Sequence, residues 1–407
     1  MGLTVLRRAR LVDGAALVDV HVSDGVVTAV EPAAEGSGLD LEGRLLLPAL
    51  VEPHAHLDKV FTLDRAANPE GTLAGAMTGY ADVVRHFTVE DIAARAHRAL
   101  RVLVSRGVTA VRTHVGCGRL LGTRGVEALV QVRAELDGLL DLQVVAHVGG
   151  PEEGVRWAEH VGILRRALEL GADAVGGSPA AEQDPVAALD ACFAVAAEAG
   201  VPVDFHVDET TDPRVRTLEH LVRLAETAAI PVVASHCVSL GAMSPPEAAD
   251  LAARAAAAGV AVVTLPATNL YLQGRGSHPV ARGITALDAL TDAGVAVAAG
   301  GDNVCDPFNP VGRLDPLETA ALAVVAGHRT PEEAREMVTT TARGVLGLPP
   351  AGPWVGARAD LVAVRADSWG EALALAPEER LVLRGGTVVS ETTVSRSGPV
   401  HEGRPGE

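Results

Sequence analysis

Eight short apolar segments, separated by longer stretches with helical spacing, constrain the fold of this chain more than any other feature. The segments are continuous in Val, Leu and Ala, which is typical of strands buried on both faces of a parallel sheet. The stretches between them are amphipathic, such as PPEAADLAARAAAAG at 245–259. Eight such units predict the α/β class, with a closed (β/α)₈ TIM barrel. In chain order the segments are LVEPHAHLD (50–58), VTAVRTHVG (108–116), LQVVAHV (142–148), DAVGGS (173–178), VPVDFHVDE (201–209), PVVASHC (231–237), VAVVTLPATN (260–269) and VAVAAGGDN (295–303).

Both ends of the chain have a different pattern, in which short Val-rich runs are broken by turn signals. Near the N-terminus, LVDVHVS and VVTAVEP flank the pair Asp24-Gly25, which is the composition of a β-hairpin. Near the C-terminus, RLVLRGGTVVSET has the same pattern. Because chain termini often lie close together, we predict a small β-sandwich formed by residues 1–48 and 354–407, beside a barrel of residues 49–353.

The composition restricts what the protein can bind. Hydrophobic residues make up 48% of the chain, enough for a large core, and the formal net charge is −18. Such an acidic balance disfavours nucleic acid and membranes as partners and favours a small molecule. The four cysteines form no CxxC pair, and no apolar run has the length of a signal core or a membrane span. We therefore expect a cytoplasmic protein with reduced thiols.

Polar side chains collect at the carboxyl ends of the predicted strands. In a barrel these ends meet on one face, where catalytic groups lie. Scattered core histidines would not be distributed in this way. The side chains concerned are His54, His56, His114, His147, His206, Glu209, His236, Asn269 and Asp302.

The pair His54 and His56 predicts a metal site. Residues i and i+2 of a strand project to the same side, so two imidazoles can reach one ion. Such a pair also occurs by chance, as polar residues that cap a strand. Together with His206 and Asp302 at later strand ends, the metal hypothesis becomes the stronger one, and these four residues are the predicted ligands. Imidazole and carboxylate suit Zn²⁺ or Fe²⁺, which would lower the pKa of a bound water to give a hydroxide nucleophile.

Two further residues have predicted catalytic roles beside Asp302. Glu209, three residues after His206, can carry a proton from the water to the substrate, although an acid in a loop is more often merely solvated. His236 can orient the hydroxide, the alternative being a histidine satisfied within the core. The sole lysine of the chain is Lys59. No lysine is therefore available on the fourth strand to bridge two ions, and we expect one divalent ion per chain.

The motifs resemble those of the amidohydrolase superfamily, in the branch that contains bacterial cytosine deaminase and N-isopropylammelide hydrolases. The resemblance covers most of the chain. It implies that His54, His56, His206 and Asp302 bind one Fe²⁺ or Zn²⁺, that Glu209 is the proton shuttle and that His236 contacts the nucleophile. It also implies a homo-oligomer. The segments that carry it include VEPHAHLDK (51–59), VRTHV (111–115), HVDE (206–209), ASH (234–236), NLYLQGR (269–275) and GDNVCDPFNPVG (301–312).

Three departures from cytosine deaminase concern the substrate. The amide that contacts the pyrimidine there is replaced by Glu152 or Glu153 in GGPEEG at 149–154, and a carboxylate favours an N–H-rich edge of the ligand. The aspartate pair becomes Asp302-Asn303, and a tryptophan becomes Phe308. We therefore expect a reshaped pocket. Its predicted substrate contacts are Glu152, Glu153, His147, Gln273, Asn303 and Phe308.

These observations favour a metal-dependent amidohydrolase that deaminates a small nitrogen heterocycle, such as an aminopyrimidine, a triazine or a related ring. A cyclic amide hydrolase that opens a ring would use the same site chemistry. A third hypothesis is an inactive barrel retained as a binding protein, which the full set of polar residues disfavours. Zinc deaminases of nucleic acids are excluded, because their HxE and PCxxC motifs are absent.

Overall fold

The computed structural model describes residues 4–14, 16–149, 157–395 and 397. A hairpin of two antiparallel strands turns at Asp24 and Gly25, whose φ angles of 49° and 80° are those that an Asp-Gly turn favours. The hairpin prediction for this pair is therefore confirmed. The N-terminal strands are β1 (Thr4–Arg10), β2 (Leu17–Ser23), β3 (Val26–Pro32), β4 (Leu39–Asp40) and β5 (Leu45–Pro48).

Eight parallel strands follow, one at each of the apolar segments, and they confirm the predicted barrel. They neighbour one another in chain order around a single sheet. A parallel bridge between Ala55 and Asp302 joins the carboxyl ends of the first and last of them. The strands are β6 (Leu50–Ala55), β7 (Val108–Gly116), β8 (Asp141–Val148), β9 (Ala174–Gly177), β10 (Val203–Val207), β11 (Val232–His236), β12 (Ala261–Thr264) and β13 (Val297–Ala299).

The last three strands return to the N-terminal ones, so that both ends of the chain build one mixed sheet. They are β14 (Leu361–Val364), β15 (Arg380–Arg384) and β16 (Thr387–Glu391), and β14 pairs antiparallel with β5. The sheet curves back on itself. Just before β14, Ala359 N donates a hydrogen bond to Gly25 O in the β2–β3 turn across 2.8 Å. Leu6, Leu46 and Leu383 are buried in its own apolar core. A separate mixed sheet from both termini is thus confirmed, while the domain bounds at 1–48 and 354–407 stay a prediction.

Helices cover the outside of the barrel. Along α2 the residues Ile92, Ala96, Leu100 and Leu103 recur at helical spacing and are fully buried. Burial of each large aliphatic side chain contributes about 1.5–3 kcal/mol. No helix of the described residues is both long and apolar enough to cross a bilayer. The helices are α1 (Leu73–Val84), α2 (Val89–Ser105), α3 (Arg124–Glu135), α4 (Trp157–Glu169), α5 (Pro185–Ala199), α6 (Thr217–Ala225), α7 (Pro245–Ala257), α8 (Pro266–Leu272), α9 (Leu287–Asp292), α10 (Pro316–Val325), α11 (Pro331–Met337), α12 (Thr340–Val345) and α13 (Trp369–Leu375).

Successive side chains of a barrel strand point to opposite faces, so residues of the helix-packed core alternate with residues that face the barrel interior. In β10, Val203, Phe205 and Val207 pack in the core that the helices share, whereas Asp204 and His206 face the other barrel strands. The amino ends of the strands are filled by a small apolar cluster that includes side chains of α12 and the residue that follows it. Polar inward-facing residues are therefore concentrated at the carboxyl ends.

Candidate active site

Four side chains from three strand ends converge on one point. His206 Nε2 lies 3.2 Å from His54 Nε2 and 3.0 Å from His56 Nε2. Asp302 Oδ1 lies 3.6 Å from His54 Nε2 and 3.3 Å from His56 Nε2. All four side chains are buried, and one ligand atom from each lies within 4.8 Å of the others. The structure thus brings together the whole set of predicted ligands.

The backbone at Asp302 is in the left-handed region, with a φ of 63°. This conformation costs an aspartate roughly 1–3 kcal/mol and persists where surrounding contacts enforce it. Asp302 N donates to His54 O across 2.9 Å, and the preceding Gly301 N donates to both carboxylate oxygens of Glu52 at 3.0 Å. Glu52 also accepts from His54 N at 3.2 Å. The buried Glu52 carboxyl, whose pKa burial raises to about 8, therefore ties the ligands of the first and last strands together.

Hydrogen bonds fix the proton position on two of the histidines. His56 Nδ1 lies 3.1 Å from His114 O, and because a carbonyl only accepts, Nδ1 carries the proton. Ser235 Oγ donates to Asp204 Oδ1 across 2.8 Å, so it accepts from His54 Nδ1 at 2.9 Å. Both imidazoles therefore direct the lone pair of Nε2 at the convergence point.

Asp204, which accepts the hydrogen bond from Ser235, is held in its ionised form. Arg112 Nη1 donates to Asp204 Oδ2 across 2.9 Å, and His114 Nε2 lies 3.6 Å from Asp204 Oδ1. Burial alone would raise the pKa of Asp204, but His114 and Arg112 lower it to about 2. The chain of contacts from Arg112 through Asp204 and Ser235 to His54 is the outer support that histidine ligands of metals usually have.

The donor set fits a divalent cation. His206 Nε2 lies 3.0–3.2 Å from the Nε2 atoms of His56 and His54, and since both of those atoms present lone pairs, the three imidazoles cannot all satisfy themselves by mutual hydrogen bonds. Neither oxygen of Asp302 has a hydrogen bond of normal geometry within the described residues. Burial lowers the pKa of His54, His56 and His206 well below the ordinary value, so all three are neutral at pH 7. Neutral imidazole and carboxylate are the ligands that Zn²⁺ and Fe²⁺ take.

The predicted acid–base residues lie beside this cluster. His236 Nδ1 lies 3.6 Å from Glu209 Oε1 and accepts a hydrogen bond from Asn269 Nδ2 at 3.0 Å. The proton of His236 is therefore on Nε2, which has no partner within the described residues. Burial, with a contribution from Asp302, raises the pKa of Glu209 well above the ordinary value. A carboxyl with a raised pKa can take up a proton and later give it away in the course of one reaction.

The cluster lies in a cavity of about 700 Å³. Phe308 and Tyr80 form part of its wall, with ring centroids 6.3 Å apart. Between them lies Lys59, whose Nζ is 4.6 Å from the centre of the Phe308 ring and 5.1 Å from that of Tyr80. The cavity thus has an aromatic wall with a cation held against it, close to the candidate metal ligands.

The remaining predicted contacts line the same cavity where the structure describes them. His147 Nε2 is paired with Ser178 Oγ at 3.0 Å, while Nδ1 has no partner in the described residues. Gln273 Nε2 donates to Glu209 O across 2.9 Å, and Asn303 Nδ2 donates to a buried aspartate across 2.7 Å. Gln273 and Asn303 thus each donate one side-chain hydrogen bond within the protein. Glu152 and Glu153 lie outside the described residues, and their roles stay a prediction.

Sequence analysis did not assign roles to Lys59, Tyr80 or the Arg112–Asp204–Ser235 support. Lys59 carried a usable signal, because it is the sole lysine of the chain and follows the histidine pair by three residues. Asp204 lies two residues before His206, on the same face of its strand, and could have been found by that spacing. The contact between Ser235 and His54 spans 181 residues of sequence, and local pattern does not reveal it.

A barrel with such a cluster at its carboxyl face is the architecture of metal-dependent hydrolases. The model of the amidohydrolase family matches residues 62–395 of this chain. The chain therefore belongs to the amidohydrolase family. This confirms the predicted class, a metal-dependent hydrolase that acts on C–N bonds.

Known relatives extend over nearly the whole chain. A pterin deaminase of Rhizobium rhizogenes is 33% identical over 394 residues, covering 93% of this chain and 89% of the relative. The N-isopropylammelide isopropyl amidohydrolase of a Pseudomonas species is 26% identical over 409 residues, covering 96% and 98%. The crystal structure of a 5-methylcytosine deaminase from Klebsiella pneumoniae, liganded with 5-fluorocytosine, matches with a TM-score of 0.89 at 29% identity, covering 97% and 99%. These relatives support a hydrolytic deaminase.

Proposed function

We propose that this protein hydrolytically removes the ring amine of a pterin-like bicycle, with one divalent ion held by His54, His56, His206 and Asp302. The observation that carries the proposal is the convergence of these four side chains in a cavity of about 700 Å³. Ligand pockets range over about 300–1,000 Å³, and this one has more room than a single six-membered ring requires. The pterin deaminase relative supports the choice of a fused bicycle.

The ion would be Zn²⁺ or Fe²⁺, and it would supply an activated water as the nucleophile. One ion per chain is expected because β9, the fourth barrel strand, reads AVGG and has no lysine to bridge a second. His54 and His56 are set to bind through Nε2, since each donates from Nδ1 to the protein. Metal analysis of protein purified without added metal should give close to one equivalent.

We infer that Glu209 and His236 carry out the proton transfers of the reaction. In hydrolytic deamination the oxygen of water bonds to the ring carbon that bears the amine, the C–N bond breaks, and nitrogen leaves as ammonia. We infer that Glu209 accepts a proton from the water and delivers it to the ring or the departing nitrogen. His236 carries its proton on Nε2, since Asn269 donates to Nδ1, and this N–H can hold the incoming oxygen by a hydrogen bond.

The cavity wall supplies binding groups for a flat, polar ring. Phe308 offers an apolar face, and Lys59 offers a donor to a ring carbonyl or nitrogen. His147 Nδ1 adds hydrogen-bonding capacity, while Asn303 and Gln273 already donate within the protein, to a buried aspartate and to the backbone of Glu209. Glu152 or Glu153 would pair with an N–H-rich edge, and single changes of each to Gln should shift the preference towards carbonyl-edged rings.

An ammonia-release screen tests the proposal directly. Metal-loaded protein is assayed with pterin, cytosine, an aminotriazine and guanine, and the highest kcat/KM is expected for pterin. Ring opening of a cyclic amide without ammonia would instead support the cyclic amide hydrolase. Metal binding without turnover on either class would support a binding protein.

We further propose a cytoplasmic homo-oligomer. All four cysteines are unpaired, which suits a reducing compartment. The oligomer rests on the resemblance alone. Sedimentation equilibrium of the metal-loaded protein would measure its size, and a monomer at micromolar concentration would reject it.

A further inference from the structure

Arg275 is held in a defined position on the lining of the active-site cavity. Its guanidinium carbon lies 4.6 Å from the centre of the Tyr271 ring. The guanidinium also fills the space beside Gly71, where a Cβ would collide with it. Gly71 has a φ of 63°, a conformation that also disfavours any other residue. An aromatic ring and a bare stretch of backbone thus flank the charged group.

The segment that carries Arg275 is anchored to the catalytic machinery. Gln273 N donates to Asn269 O, at the end of α8, and the Gln273 side chain donates to Glu209 O, each across 2.9 Å. Asn269 is the residue that orients His236. Arg275 is therefore placed relative to Glu209 and His236 by a short, hydrogen-bonded stretch of chain.

This guanidinium has no carboxylate partner in residues 4–14, 16–149, 157–395 and 397. It lies there against the Tyr271 ring and the backbone at Gly71. Elsewhere the chain uses arginines in ion pairs, such as Arg65 with Asp91 at 2.8 Å. The net charge is −18, so an anionic ligand would be repelled overall and would need a local cation. Arg275 supplies one on the cavity lining, separate from Lys59, which lies against Phe308.

We propose that Arg275 binds an anionic oxygen group, a carboxylate or a phosphate, on a substituent of the substrate ring. The inference rests on the proposed function, since it assumes that a heterocycle occupies the cavity near the metal ligands. The planar guanidinium donates two parallel hydrogen bonds to either group. The natural substrate is then an acidic derivative of the bicycle, and its substituent fills cavity space that the ring leaves open.

The test compares three pterins that differ only in the substituent at carbon 6. They carry a neutral hydroxymethyl group, a carboxylate, or a hydroxymethyl phosphate. Wild-type metal-loaded protein should prefer an acidic form by about tenfold in kcat/KM, through KM, because Arg275 does not touch the reacting atoms. The preference should shrink at high salt, since an exposed charge is screened. Comparison of the carboxylate with the phosphate identifies which anion is bound.

Substitution of Arg275 separates binding from a structural role. R275Q should reduce the acidic-to-neutral preference about tenfold, and R275K, which keeps the charge but loses the planar fork, should retain part of it. R165Q is the matched control, because Arg165 is exposed and pairs with Glu198 on the outside of the barrel. It should leave the preference as in wild type.

The inference is overturned if wild-type protein shows no preference for either acid, or if R275Q lowers kcat/KM for all three rings equally. If none of the three pterins is deaminated, the proposed function fails, but the anion site can still be tested by measuring binding. Titration of pterin fluorescence then gives Kd for each ring. A tenfold tighter Kd for an acidic ring, lost in R275Q, supports the anion site, and equal Kd values reject it.

Discussion

At the scale of single residues, one hydroxyl fixes the proton position on a predicted metal ligand. Ser235 accepts from His54 Nδ1 and donates to Asp204, which leaves the lone pair of His54 Nε2 free. Ser235→Ala removes this acceptor, and His54 can then rotate or take the wrong proton position. Loss of such outer support typically costs 10–100-fold in metal affinity. Competition with a chelator should show a loss in this range, whereas Ser105→Ala, which removes a hydroxyl bonded only within α2, should show none.

Glu209 can be tested apart from metal binding, because it does not belong to the cluster of four predicted ligands. Glu209→Gln keeps the shape of the side chain but removes the titrating group. General acid–base catalysis is worth roughly 10²–10⁴-fold, so kcat should fall by that factor while the metal content stays near one equivalent. Glu332→Gln, on the exposed side of α11, is the control. Wild-type kcat in Glu209→Gln would remove Glu209 from the mechanism.

At the scale of elements, a buried ion pair joins the terminal β domain to the barrel. Arg380 on β15 donates to both oxygens of Asp315 at the start of α10, and also to Arg106 O. The Arg380 side chain is fully buried. Breaking such a pair by removing one partner costs about 3–5 kcal/mol, because the other charge stays buried. Arg380→Met should lower the free energy of unfolding accordingly in urea titrations.

The control for this pair is an exposed one. Arg165→Met breaks a contact of 2.7 Å with Glu198 in which both side chains are more than half exposed. Surface pairs contribute about 0–1 kcal/mol, so its unfolding midpoint should barely move. Equal effects of the two substitutions would mean that Arg380 does not hold the two domains together.

Strand positions were predictable because the barrel strands are largely apolar runs with polar side chains at or just beyond their carboxyl ends. That pattern located His54, His56, His206 and Asp302, since barrel topology alone brings strand ends together. The pairing of Ser235 with His54 was not predictable, because it depends on how strands distant in sequence face each other across the barrel. The position of Lys59 was also hidden, since the turn after β6 decides where that side chain points.

At the scale of the whole molecule, removal of the ion should make the stability of the folded protein depend on pH. Without the ion, the pKa values of Asp302 and Glu209 are raised by burial, and that of Glu52 is raised to about 8. A carboxyl with a raised pKa in the folded state binds its proton more tightly than in the unfolded chain. Its contribution to stability is therefore lost as the pH rises through the folded-state pKa.

The buried histidines act in the opposite direction, but in a lower pH range. Their pKa values are lowered, that of His236 to about 4, so they destabilise the folded state only as the pH falls below about 6.5, the ordinary value for histidine. Above about pH 6.5 these buried histidines no longer contribute, and the metal-free protein should lose stability as the pH rises towards the pKa of about 8 of Glu52. A bound cation favours ionised Asp302 and Glu209 and removes most of that loss.

The difference in Tm between metal-loaded and metal-free protein should therefore widen from pH 6.5 to pH 8. Thermal unfolding of chelator-treated and reloaded samples at three pH values in this range measures it directly. In Glu209→Gln one of the raised carboxyls is absent, so the widening should be smaller than in wild type. A difference in Tm that stays constant with pH would show that the ion does not displace protons from these buried carboxyls in this range.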